Sequence, residues 1–248
     1  MEKSLSAITL AQVVAFANFL CIIVALIKIK HLTKSLKLFA LYIFIIVAIT
    51  LAIFGFVEAL KTYKIYLFFL PFLTYFQIQD TSFLNILYYL NNSILLGLFY
   101  NSIFKKTFIQ NKQKIFLFFI FIPLIEIIVY FFIDGVNKPG NINPVIDSLF
   151  CITLPVIYLW NWYQDESSLL TKVQKNPYFL LSIGLILQNL LSFIYFLTLE
   201  KIFQTDPSSY ELFTSIKSFV QLISIYFFLS AFYYAHYAKL IDNRSSTV

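Results

Sequence analysis

The feature that most constrains this chain is how its charges are spaced. Asp, Glu, Lys and Arg make up only 12% of 248 residues, and they gather between long apolar blocks. A block of about 20 apolar residues, wound at about 1.5 Å per residue, matches the hydrocarbon thickness of a bilayer. Backbone polar groups in hydrocarbon must be paired within their own segment, so such blocks have to be helices. The mean hydropathy of +0.82 excludes an ordinary soluble domain.

Seven spans are expected. They run from about Leu5 to Ile27, Leu36 to Val57, Ser82 to Phe104, Ile115 to Ile133, Val145 to Trp162, Tyr178 to Leu199 and Leu212 to Tyr237. The first contains Ala15-Phe16-Ala17, which resembles a leader cleavage site. The apolar run continues well past it, so a retained helix is expected. Ile65–Phe76 is apolar but short and carries Pro71, and reads as an interfacial or re-entrant segment. The expected fold is thus all-α: one integral membrane bundle over residues 1–240, then a short cytoplasmic tail over 241–248.

The basic residues orient the bundle. With seven spans, the loops after the first, third and fifth share a side with the C-terminus. They carry Lys28, Lys30, Lys34, Lys37, Lys105, Lys106, Lys112, Lys114, Lys172 and Lys175, joined by Lys239 and Arg244. The other side carries Lys3, Lys61, Lys64, Lys138, Lys201 and Lys217. The richer side is cytoplasmic, so the N-terminus lies outside and the C-terminus inside. An eighth span at Ile65–Phe76 would split the two densest lysine clusters. Trp160 and Trp162 suit the cytoplasmic boundary of the fifth helix. Asp80-Thr81-Ser82 suits the cap of the third, and Asn176-Pro177 the opening of the sixth. The net charge of +6 is explained by this orientation, and no nucleic-acid partner is expected. The expected setting is a multi-pass protein of a cell membrane, of the bacterial inner-membrane type, with the lipid bilayer as its first partner.

Function in such a chain is sought among polar residues at hydrocarbon depth. Glu126 lies eight residues before Asp134, about 12 Å from the outer end of its helix, with Pro123 one turn earlier. Amides lie at comparable depth: Asn18, Asn91, Asn92, Gln188, Asn189 and Gln221. Asn85, Tyr88, Tyr89 and Asn92 recur at helical spacing and form one polar–aromatic stripe. The candidate ligand-binding set is Glu126, Asn85, Tyr88, Asn92, Gln188, Asn189, Gln221 and Asn18, lining an outward-facing pocket. The competing reading is plain interhelical hydrogen bonding. Glu58, Asp80, Asp134, Asp147, Glu200, Asp206 and Glu211 are expected on the outer loops as a solvated face. Cys21 and Cys151 read as small core residues. His31 and His236 fall near the cytoplasmic ends of the first and last helices. They meet if those helices are neighbours, but they carry no metal-ligand spacing. No metal and no cofactor is expected.

No HExxH, GxSxG or Gly-rich phosphate loop occurs, and no nucleophile–base set is visible. No lysine sits deep in the last helix, as a retinal protein would need. Lys175-Asn176-Pro177-Tyr178-Phe179, followed by Gly184 and Gln188, resembles the sixth-helix opening of bacterial seven-helix sensory membrane regions. Some of those are fused to histidine kinases and others stand alone. Leu180 and Gln188 depart from that pattern, where Trp and Tyr are usual. The resemblance implies a sensor or receptor-like module that signals to a separate cytoplasmic or membrane partner. The alternatives are a small-solute transporter and a structural subunit of a membrane complex.

Overall fold

The computed structural model describes residues 5–75, 81–104, 112–135, 142–164, 173–205 and 207–245. Helix dominates these residues, and no strand occurs among them. Helix α1 (Leu5–Ile27) and α2 (Lys34–Leu60) match the first two apolar blocks. Thr33 opens α2 by accepting the Leu36 N–H on its hydroxyl at 3.4 Å.

The short segment carrying Pro71 folds as α3 (Tyr63–Tyr75), thirteen residues without a buried side chain. It is too short to cross a bilayer. The Phe72 and Phe83 rings lie 6.2 Å apart, and Phe69 and Phe83 both meet Phe56 of α2. Phe76, which ends the expected segment, lies outside the described residues, as do Asp80 and Asp206.

The third block is one rod with two changes of winding. A 3₁₀ turn (Thr81–Leu84) leads into α4 (Asn85–Asn91), a π turn (Asn92–Leu96) and α5 (Gly97–Ile103). The fourth is α6 (Lys112–Val129), which widens into a second π turn (Tyr130–Asp134). Gly135 closes that turn at φ +81°, a left-handed conformation that glycine adopts without strain. Its N–H donates to the Tyr130 carbonyl at 3.0 Å. π turns insert a residue into the helical ladder and re-aim the side chains around them.

Helix α7 (Ile142–Gln164) begins three residues before the expected Val145. Helix α8 (Pro177–Thr205) starts at Pro177, as expected. Asn176 caps it, accepting the N–H groups of Tyr178 at 3.0 Å and Phe179 at 3.2 Å. Helix α9 (Pro207–Tyr233) breaks at Tyr234 and continues as α10 (Ala235–Ser245). Among the described residues, four segments are long and apolar enough to cross a membrane: Lys34–Leu60, Ile142–Gln164, Pro177–Thr198 and Glu211–Tyr233. The chain is a helical membrane protein. Large apolar side chains such as Phe16, Leu51, Phe132 and Phe219 stand exposed along its helices, as expected of groups that meet lipid.

Helix α8 packs between α7 and α9, and α1 lies against α9 and α2. Gly184 permits the close α8–α9 approach. A Cβ there would meet the Phe228 ring at 2.6 Å and the Ser224 carbonyl oxygen at 3.0 Å. Phe39 of α2 centres an aromatic core, with Tyr42, Phe99 and Phe228 ring centroids 5.2–5.4 Å away. Tyr100 and Ser182 join α5 to α8 through hydroxyls 3.0 Å apart.

The two ends of the bundle differ. At one end, Thr33 Oγ1 and Tyr178 Oη are 2.9 Å apart, and Trp162 packs on Phe179. Lys175 donates to the Tyr237 hydroxyl at 3.3 Å, and Lys239 to the Lys30 carbonyl at 3.4 Å. His31 and His236 come to that same end: with Lys28, Tyr233 and Ala235 they line one cleft of about 220 Å³. At the other end, Thr50 of α2 is paired with Tyr88 of α4.

Candidate functional site: a buried acidic cluster

The join between α6 and α7 builds the site. Asp134, last residue of the second π turn, accepts the N–H groups of Ile142 at 3.1 Å and Asn143 at 2.8 Å. It therefore satisfies orphan donors at the start of α7, and its charge complements the helix dipole there. Asn143 reaches back across the join. Its amide donates at 2.9 Å to the backbone carbonyl of Glu126, where α6 approaches its π turn. Glu126 and Asn143 are both completely buried.

Asp147 sits one turn after Asn143 on α7 and is 7% exposed. This corrects the expectation of a solvated outer-loop residue. The helix starts earlier than Pro144 suggests from sequence, because Pro is tolerated in a first turn. Asp147 thereby falls about 7 Å inside the helix. Its Oδ2 accepts the Asn92 amide at 2.8 Å, and the Cys151 thiol lies 3.8 Å from Oδ1. Asn92 opens the first π turn, so both π turns border the cluster. Cys151 is buried, but beside a carboxylate rather than in a purely apolar core.

Glu126 lies within electrostatic reach of Asp147, and Tyr89 within reach of both carboxyls and of Asp134. The Ser93 hydroxyl lies within hydrogen-bonding reach of the Glu126 carboxyl, but its shortest bond is to the Tyr89 carbonyl at 2.9 Å. Both Glu126 carboxyl oxygens are buried without a hydrogen-bond partner. The side-chain oxygens of Asn91, Asn92 and Asn143 are in the same condition. Each such group costs about 1–3 kcal/mol if left unmade, and more if charged. The cluster thus gathers unmet acceptors. No set of three or more His, Cys, Asp and Glu side chains converges among the described residues.

The expected ligand-binding set divides. Glu126 and Asn92 come together through Asp147. Tyr88 turns away to α2, its hydroxyl 2.8 Å from Thr50 Oγ1, while Tyr89 faces the acids. Asn85 is half-buried at the start of α4. Asn189 spends its amide on the Leu185 carbonyl at 2.8 Å, within α8. Gln188, Gln221 and Asn18 are half-buried on α8, α9 and α1. Among the described residues no hydrogen bond joins these four to Glu126, Asp147 or Asn92. Sequence reasoning missed Asp147, Asn143 and Ser93 as site residues. The available signal was Asp134 eight residues ahead of Ile142, with Asn143, Asp147 and Cys151 following at i, i+4 and i+8.

The remaining acids of the expected solvated face vary. Glu58 is exposed and ion-paired with Lys61, whereas Glu211 lies within α9 and half-buried. Lys217, also within α9, stands over the Tyr195 ring at 4.3 Å. Comparison with protein-family models, curated proteins and solved structures finds no match to this chain.

Proposed function

We propose that the chain is a seven-span sensor module of a bacterial inner membrane, with its N-terminus outside and its C-terminus in the cytoplasm. A small ligand acts on the Glu126–Asp147–Asn92 cluster, and a separate cytoplasmic partner reads the result. Alternation of the helices supports seven crossings. The starts of α2 and α8 share an end with the finishes of α1, α7 and α9. Lysines 28, 30, 175 and 239 gather at that end, in keeping with a cytoplasmic face. The α8 opening adds its resemblance to seven-helix sensory regions.

The observation that carries the reading is the pair of unpartnered Glu126 oxygens at complete burial. A ligand shifts a conformational equilibrium only through its different interaction with the two states. An arrangement that leaves strong acceptors unmet supplies such a difference. Pro123 and the two π turns weaken the ladders of the helices that would move.

Hydrogen exchange on the protein in nanodiscs tests the reading. Glu126→Gln is expected to change protection in α6, α7 and at the cytoplasmic ends of α8–α10. Identical protection throughout would contradict a signalling role. A solute carrier is the second reading, favoured by the same interrupted helices. Counterflow of labelled solute into liposomes separates it from a sensor.

A further inference from the structure

The cluster gathers several buried oxygens that the hydrogen bonds around them do not satisfy. Glu126 contributes two unpartnered oxygens, and Asn92 and Asn143 contribute one each. One N–H of each asparagine amide is already given, to Asp147 and to the Glu126 carbonyl. The Ser93 hydroxyl makes its shortest bond to the Tyr89 carbonyl. One added proton on Glu126 would pair that carboxyl with a single neighbour and leave the other acceptors unmet.

We propose that Glu126 and Asp147, with the side-chain oxygens of Asn92 and Asn143, bind a hard metal cation of the Na⁺ or Ca²⁺ class. The inference rests on the functional reading above and names the ligand of that same cluster. One cation meets several oxygens at once, which a proton does not. The donor set is carboxylate and amide oxygen, the chemistry preferred by hard cations and not by zinc or copper. Charge agrees as well. Two carboxylates are neutralised by one divalent ion, or by one monovalent ion and a proton, and neutrality is what hydrocarbon depth demands. Asp134 at the α7 start and the unpaired amide oxygen of Asn91 add negative potential nearby. The π turns on both flanking helices give the oxygens room to close on an ion. Sequence reading expects no metal here, because its ligands come from three helix segments and include no His or Cys motif.

The test uses the full chain, purified in detergent in choline buffer at fixed pH. Unfolding is followed by tryptophan fluorescence during titration with NaCl, LiCl, CaCl₂ and MgCl₂, with choline chloride at matched ionic strength. The expected result is a saturable rise in Tm of several degrees with one cation class. Asp147→Asn and Glu126→Gln should each weaken the apparent affinity at least tenfold, and Glu58→Gln should leave it unchanged. Should either cluster variant fail to fold, equilibrium dialysis of the same cations against wild-type protein decides the matter. A Tm that follows ionic strength or pH alone, or dialysis without retention, overturns the proposal. Absence of cation binding by the wild-type protein, together with altered exchange in Glu126→Gln, would sink only the ligand assignment. Binding without any helix response would sink only the sensor reading.

Discussion

Asn92 and Asp147 are joined by a hydrogen bond of 2.8 Å from the amide nitrogen to Oδ2, across the boundary between a π turn and α7. The bond fixes an acid inside a helix pair and leaves the asparagine oxygen unpaired. Removing one partner of a buried polar pair costs more than removing both. Asn92→Leu is expected to lower stability by about 1–3 kcal/mol. The double variant Asn92→Leu/Asp147→Leu should recover part of the loss. Chemical denaturation in detergent, analysed as a double-mutant cycle, measures this coupling.

Asp134 ties the π turn to the start of α7 through two N–H groups. Asp134→Ala should destabilise the protein by about 1 kcal/mol, and Asp134→Asn by less. Because Asn143 depends on the same junction, the alanine variant should also speed hydrogen exchange around Glu126.

Gly184 sets the α8–α9 distance. In Gly184→Ala the new Cβ must displace the Phe228 ring and press on the Ser224 carbonyl. A cost of about 1–3 kcal/mol is expected. Adding Phe228→Leu should rescue it only in part, since the backbone oxygen at 3.0 Å stays in place. Thermal unfolding of the three variants reads this directly.

Much of the architecture is legible in the sequence because the bilayer imposes a length on every crossing segment. The expected spans Leu36–Val57 and Tyr178–Leu199, which fall within α2 and α8, can be read this way, and so can the Asn176 cap. The site is harder to read. Periodicity assumes a uniform helix, so the stripe Asn85–Tyr88–Tyr89–Asn92 reads as one face, while the structure sends Tyr88 to Thr50 and Asn92 to Asp147. Asp147 reads as a loop residue because Pro144 suggests a later helix start, and only the Asp134 cap reveals the earlier one. Depth alone marks Glu126, but its lack of partners depends on where Ser93 and Asn143 spend their protons.

The proposed threading makes a separate prediction. A reporter active only outside the cytoplasm should be silent when fused after Lys106 and active when fused after Lys138. A cytoplasmic reporter should give the reverse. The opposite pattern at both positions would invert the orientation, and equal activity at both would remove the crossing by α6.

The central claim is that Glu126 is kept at the expense of stability because a ligand, not the fold, completes its bonding. Thermal unfolding of Glu126→Met against wild type, both in choline buffer without added cations, tests it most directly. Replacing a buried unmet acid with an apolar side chain of similar volume is neutral or stabilising by about 1–4 kcal/mol. The account expects the variant to melt at or above the wild-type temperature and to lose all response to cations. A variant that melts well below wild type in the absence of any ligand would show that Glu126 holds the bundle together, and would contradict the account.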